Sequence, residues 1–331
     1  MWLLNSLIGI YVVQTFLHSL IAILVIERAI EIWGIKNPLA QFRYRLMTLI
    51  LPISMFPLYN LINLNRNSLL FREEKALFNF NRWLAIEIWD IVPVSTIFML
   101  FLLITSVIFF FQEIIPIIKD SLPRERENNR LLTVDREIDS MVAELSESLG
   151  IEKPPVKIIY DKNAVILTAG ARNHTIIFSS GLVSMLDKEQ LHSAIAHELA
   201  HIVRRSNATT WAIFILRILM FFNPIVLVVF RRIVQDDEHI CDDITVSLTR
   251  KPSALASTLK VFYSSQYEGK PSFLGKITAM KEGIENHSHN LLLKERIARL
   301  ESAEISGDRD FEWGKFILTI SVLILINYFV V

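Results

Sequence analysis

His197-Glu198-Leu199-Ala200-His201 combines residue types and a spacing that can do chemistry. On a helix, two histidines four apart project from one face, close enough to share a metal ion. A glutamate between them reaches a water polarised by that ion and can take its proton. The stretch therefore predicts His197 and His201 as metal ligands and Glu198 as a general base in hydrolysis.

A third ligand must come from elsewhere. An arrangement with Gly three residues after the second His and another His three further on is excluded, because Arg204 and Asn207 stand there. A downstream carboxylate is the other option. Asp236, Asp237, Glu238, Asp242 and Asp243 cluster, and Glu238 and Asp242 are four apart on one helical face. Such a pair suits a ligand and an acceptor that orients a ligating histidine. The alternative is a solvated acidic face. With the upstream histidines present, Glu238 is expected as the ligand and Asp242 as its partner behind. Two histidines and a carboxylate favour one Zn2+ by chemistry and availability.

The elements that must position these groups give an α+β reading. Residues 133–149 are expected as an amphipathic helix, with Ile138, Met141, Val142, Leu145 and Leu149 at helical spacing and Gly150 as its stop. Val156 to Tyr160, Ala164 to Ala169 and Thr175 to Phe178 read as a small sheet. Asp187 with Gln190 forms a capping box that opens the HExxH helix. An edge strand of that sheet could hold an extended peptide by main-chain hydrogen bonds; the alternative is a structural sheet with a covered edge.

The rest of the chain is apolar. Of 331 residues, 52% are hydrophobic, and the formal net charge is zero. That composition predicts membrane segments and gives no sign of nucleic-acid binding. Cys241 is the sole cysteine, which excludes an intrachain disulfide and fits a reducing compartment. Trp2 to Ile26, Leu46 to Leu64 and Ile91 to Gln112 carry no charge, though Pro52 and Pro57 interrupt the second, and Phe316 to Val331 is a fourth run. Each can cross ~30 Å of hydrocarbon. The first lacks a basic leader and a small-residue cleavage site, so it reads as an uncleaved anchor. Arg28, Lys36, Arg43 and Arg45 follow the first run, and Lys119, Arg124, Arg126 and Arg130 follow the third. Basic residues stay on the cytoplasmic side, so the N-terminus is expected outside and the catalytic region inside.

Ala208 to Phe230 is also apolar, with Arg217 its one charge before Arg231. It cannot be a simple span if Glu238 shares a metal with His197 and His201, because ligands sit ~2 Å from the ion. Asn223-Pro224 offers a turn. A helical hairpin at 208–235 is therefore expected, with both ends on the cytoplasmic side. The full layout is a three-helix anchor (1–119), a peptidase domain (120–314) and a last transmembrane helix (315–331).

HExxH with a downstream Glu-x-x-x-Asp is the gluzincin pattern. The stretch through Phe222-Asn223-Pro224 to Glu238-His239-Ile240-Cys241-Asp242 resembles the BlaR/MecR-type membrane metallopeptidases. HtpX and CAAX prenyl protease cousins share the Glu-x-x-x-Asp but usually carry Ala before the Asp. The resemblance covers about residues 130–300. It implies a gluzincin domain, zinc held by His197, His201 and Glu238, Glu198 as base and Asp242 behind a ligand. Glu295-Arg296-Ile297 resembles a late arginine-containing segment of such domains, where Arg296 would stabilise the oxyanion or support the fold. His287 and His289 are candidates for an oxyanion donor, against the commoner reading of exposed loop histidines. Antibiotic transducers carry a penicillin-binding sensor beyond the last membrane run; this sequence ends there, so a trigger is expected from a separate sensor protein, the lipid or the loop at 65–90.

Among the other histidines, His18 inside the first run is expected to bond a neighbour, His192 to lie at the surface, and His239 to point away from the ligands. Cys241 is expected as a small buried residue rather than a soft ligand. The sequence thus predicts an integral membrane zinc endopeptidase of a bacterial inner membrane, cleaving a protein or peptide substrate such as a cytoplasmic repressor. The alternatives are an HtpX-like quality-control protease and a non-catalytic scaffold with a structural zinc. Oligomeric state is not legible.

Overall fold

The computed structural model describes residues 6–115, 131–162, 165–169, 174–204, 206–265, 293–302 and 311–331. The chain divides into two units: Met1–Arg124 with Trp211–Asp236 and Asp308–Val331, and Glu125–Thr210 with Asp237–Gly307. The first therefore includes most of the 208–235 stretch. Its side chains show why: Asn223 donates to Ser19, and the Arg217 guanidinium lies over the Phe109 ring.

The first unit begins with α1 (Leu7–Ile32) and α2 (Pro38–Ile62), both long and apolar enough to cross a membrane. The Ser6 hydroxyl accepts from the Gly9 N–H at the start of α1. Asn37 does the same for Leu39 and Ala40 at the start of α2, where Pro38 loses no needed donor. Helix α2 runs on through Pro52 and Pro57. Two short helices, α3 (Leu69–Glu74) and α4 (Phe80–Leu84), and a hairpin of β1 (Glu87–Ile88) and β2 (Val92–Pro93) lead to α5 (Val94–Phe109). Helix α5 has 16 residues, about 24 Å at 1.5 Å each; a π-helical turn at Phe110–Ile114 prolongs it.

The second unit opens with β3 (Leu131–Leu132) and α6 (Arg136–Ser148). Helix α6 buries Ile138, Met141, Val142 and Leu145, the stripe its periodicity predicts. It stops at Gly150, whose φ of 65° suits a residue without Cβ, and the Gly150 and Ile151 amides close onto Glu147 and Ser146 carbonyls. Strands β4 (Val156–Ile159), β5 (Ile166–Ala169) and β6 (Thr175–Ser179) complete a four-stranded sheet in the order β3-β4-β6-β5. Strands β4 and β6 are parallel, with Ile158 opposite Phe178. Strand β5 is antiparallel to β6, with Thr168 opposite Ile176, and forms a sheet edge.

After the short α7 (Ser180–Met185), α8 (Lys188–Arg204) carries the HExxH stretch. The expected capping box is present: the Asp187 N–H donates to Gln190 Oε1 at 3.0 Å and the Gln190 N–H to Asp187 Oδ1 at 2.8 Å. Leu191, Ile195 and Leu199, four apart, are buried with Ile176, Phe178 and Leu182 in one core. Burying each contributes about 1.5–3 kcal/mol. That apolar stripe fixes the rotation of α8 and leaves His197 and His201 on another side of the helix, with Glu198, seven residues after Leu191, at the border of the stripe.

Helices α9 (Ser206–Leu219) and α10 (Pro224–Thr249) flank the expected turn. Asn223 caps α10 by accepting from the Ile225 N–H, and Arg217 lies 4.5 Å over the Phe230 ring across the turn. Helix α11 (Pro252–Ser265) packs on α8 through Gln190, Ser257 and Thr258. Residues 293–301 form α12, whose Leu293, Ile297 and Leu300 join Val246, Leu255 and Leu259 in a second core of this unit. Helix α13 (Trp313–Tyr328) is shorter than its apolar run, because Val330 leaves it to pair with Phe78.

Candidate metal centre

Helix α8 brings His197 and His201 to one side, and α10 returns Glu238 to them. One nitrogen of each histidine and a Glu238 oxygen all lie within 4.8 Å of one another. His197 Nε2 is 3.4 Å from Glu238 Oε2, and His201 Nε2 is 3.7 Å from Glu238 Oε1. Ligand atoms ~2.0 Å from a tetrahedral zinc stand about 3.3 Å apart. The donor set and its spacing therefore fit one such ion with little adjustment. The turn at Asn223-Pro224 makes this possible, since it lets α10 reverse the course of α9.

Behind the ligands lies a buried ion cluster. Arg296 from α12 grips Asp242 with both arms, Nε to Oδ2 at 2.9 Å and Nη2 to Oδ1 at 2.7 Å. Its Nη1 is 2.7 Å from Glu238 Oε2. His197 Nδ1 lies 3.3 Å from Asp242 Oδ1, a close electrostatic contact without hydrogen-bond alignment. The tautomer with its proton on Nδ1 faces that carboxylate, while Nε2 lies 3.4 Å from both Glu238 Oε2 and Arg296 Nη2. Asp242 is fully buried, and Asp236 and Asp237 are nearly so. The acidic run is therefore not a solvated face. Asp237 pairs with Arg204 at 2.8 Å and Asp243 with Arg299 at 2.6 Å.

Glu198 is buried beside the ligands, and its Oε2 accepts from the Thr168 hydroxyl at 2.8 Å. Thr168 sits on the edge strand β5, so the sheet edge and the carboxylate between the histidines are joined by one hydrogen bond. His201 Nδ1 faces Cys241 Sγ at 3.3 Å. His201, Asp237 and Cys241 form a second group of potential ligand atoms sharing His201.

Electrostatics match a metal site. Burial would raise the Glu238 carboxyl, yet Arg296 and the two histidines outweigh it and hold the group far below the usual carboxylate range. Burial depresses His201, helped by its neighbour His197, which keeps it neutral and able to ligate. At His197 burial and Arg296 oppose the charge, but the bond to Glu238 and the Asp242 carboxylate prevail and raise it. Burial opposes the Arg296 charge too, and Asp242 and Glu238 more than restore it.

The structure thus brings together the predicted His197, Glu198, His201, Glu238, Asp242 and Arg296. His287 and His289 lie outside the described residues. Among the described residues, neither group of potential ligand atoms includes His239. Sequence reasoning missed the Thr168 contact entirely; it weighed Cys241 as a soft ligand and preferred a small buried residue, and Cys241 is buried, but its contact with His201 was not foreseen. Its place three residues after Glu238 on the same helix was the available signal.

This constellation sets potential metal-ligating atoms beside a buried carboxylate, in a chain with two helices long and apolar enough to cross a membrane. The chain belongs to the BlaR1 peptidase M56 family, whose model matches residues 85–259, more than half of its length. It is also similar to proteases of another name. A protease HtpX homolog of Bacteroides fragilis (strain YCH46) is 35% identical over 82 residues, 24% of each chain. A protease HtpX homolog of Persephonella marina is 34% identical over 70 residues, 20% of this chain and 24% of the relative. Protease HtpX of Acinetobacter baumannii (strain AYE) is 30% identical over 95 residues, 28% of this chain and 29% of the relative. The chain thus spans about a quarter of the length of these curated relatives.

Proposed function

We propose that this protein is a membrane-anchored zinc endopeptidase that cleaves a protein substrate in regulated proteolysis, for example a cytoplasmic repressor. The observation that carries the reading is the meeting of His197, His201 and Glu238 with Glu198 between the histidines. Residues 1–119 and 315–331 serve as the membrane anchor, residues 120–314 form the peptidase domain with its hairpin at 208–235, and the domain works on the cytoplasmic side of a bacterial inner membrane.

His197, His201 and Glu238 would hold one zinc ion, which would supply Lewis-acid polarisation of the scissile carbonyl and of the attacking water. Glu198 takes the water's proton and returns it to the departing amine. Asp242 fixes His197, and Arg296 fixes both Asp242 and Glu238. The β5 edge of the sheet accepts the substrate as an added strand, which places its backbone beside Thr168 and Glu198.

The test compares N-terminal peptides in membranes of cells expressing wild type or Glu198→Gln. Termini present only with wild type, at equal zinc content, support the peptidase and name its substrate. Equal termini with zinc retained in both favour a structural-zinc scaffold. The similarity to HtpX proteases favours a second reading, turnover of membrane proteins; many unrelated substrates rather than one would establish it.

A further inference from the structure

We infer that the segment joining α2 to α5 carries a surface that lies in the headgroup zone of the lipid bilayer. The argument starts from where this segment sits. Four apolar helices begin or end at it. It leaves α2 at Ile62 and enters α5 at Val94. The Gln14 side chain of α1 donates to Asn67, and Val13 packs with Phe80 and Leu84. Arg66 donates to the carbonyls of Asn327, Tyr328 and Val330 at the end of α13, at 3.0, 2.9 and 2.8 Å. The main chain adds to this: the Phe80 N–H donates to the Val331 carbonyl and the Val331 N–H to that of Phe78, at 2.8 and 2.9 Å. The segment is therefore fixed at one end of the apolar bundle, where hydrocarbon gives way to water.

Its inward side chains are buried: Phe71, Phe80 and Leu84. Its outward ones are apolar as well. Leu69, Leu70, Leu77, Trp83, Trp89 and Ile91 are each more than half exposed, and Trp89, at the tip of the β1–β2 hairpin, is 88% exposed. Leu61, Ile62 and Leu64 at the end of α2 continue this surface. In water such a patch would be unfavourable. Trp and Leu at the level of helix ends instead suit the bilayer interface, where an amphipathic ring places its body in lipid and its N–H among headgroups. The apolar groups spread over two short helices and a hairpin, which suits fluid lipid better than one protein partner. Arg72, Lys75 and Arg82 nearly balance Glu73, Glu74, Glu87 and Asp90, so attachment does not depend on anionic lipid.

The test places a nitroxide on the full chain in phosphatidylcholine nanodiscs. Trp89→Cys and, separately, Leu77→Cys are labelled, with Glu152→Cys as a water-exposed reference; buried Cys241 is shielded from the reagent. Collision with oxygen is compared with collision with an aqueous nickel chelate. The inference predicts that both sites favour oxygen several-fold more than residue 152, with no change when a third of the lipid is phosphatidylglycerol. If residues 77 and 89 meet the nickel chelate as freely as residue 152, the surface faces water or a soluble partner and the inference is overturned. Neither result depends on peptidase activity.

Discussion

Arg296 Nη2 lies 2.7 Å from Asp242 Oδ1 while its Nη1 lies 2.7 Å from Glu238 Oε2, so one buried guanidinium spans two carboxylates one helical turn apart. A charge so enclosed stabilises only through its partners. Removing one side leaves the other uncompensated, at a cost of about 3–5 kcal/mol. Arg296→Met should therefore lower the unfolding temperature sharply and release the metal. The double variant Arg296→Met/Asp242→Asn should recover part of the lost stability, because both members of the pair are then neutral. Thermal unfolding of the four proteins in one detergent measures this. Strict additivity of the two single effects would show that the pair is not coupled.

Thr168 should matter to rate more than to substrate affinity. Its hydroxyl holds one oxygen of Glu198, and losing a hydrogen bond to a charged group costs about 1.5–3 kcal/mol. Thr168→Val should lower kcat roughly tenfold to a hundredfold with a smaller change in KM, at unchanged zinc content, and Thr168→Ser should restore most of it. An unchanged kcat in Thr168→Val alongside an inactive Glu198→Gln would show that Glu198 needs no such support.

The contrast between these residues explains what the sequence could show. The helix carrying HExxH, its capping box, the stop at Gly150 and the turn at Asn223-Pro224 are local signals, each written within a few residues. Glu238 was legible because a shared metal limits where its ligand can be. Thr168 gave no signal, since its partner lies 30 residues away and only the order β3-β4-β6-β5 sets that strand beside α8. Arg296 was noticed but not placed, because no spacing rule links it to Asp242 across 54 residues. The end of α13 was overextended for the same reason: its apolar run continues, but pairing with Phe78 draws the last residues out of the helix.

Cys241 should tune zinc without ligating it. Its sulfur faces Nδ1 of His201, while Nε2 faces Glu238. Partners of this kind orient a ligating ring, and losing one typically weakens metal affinity about 10–100-fold. Cys241→Ala should show that loss and Cys241→Ser a smaller one. Substitution with Co2+ separates the roles: a thiolate ligand gives an intense near-ultraviolet charge-transfer band, and wild type should lack it. Its presence would instead place the ion in the group of His201, Asp237 and Cys241.

Zinc uptake should depend on pH through His197. Burial works against its proton, yet Glu238 and Asp242 hold it more firmly than in a free imidazole, whose pKa is ~6.5. A ligating nitrogen must be bare, so proton and ion compete. Affinity should be highest above the raised His197 value and should fall as pH drops through it, by about tenfold per unit for one displaced proton. Glu238 adds nothing to this slope near neutrality, because Arg296 and the histidines, overcoming burial, keep its carboxyl ionised. His201, depressed by burial, starts to compete only at lower pH. Chelator-competition titrations from about pH 6 to 9 would read the slope, the onset lying above the free-imidazole value. A flat response across that range would mean that His197 is already neutral before the ion arrives, and that Asp242 orients the ring without charging it.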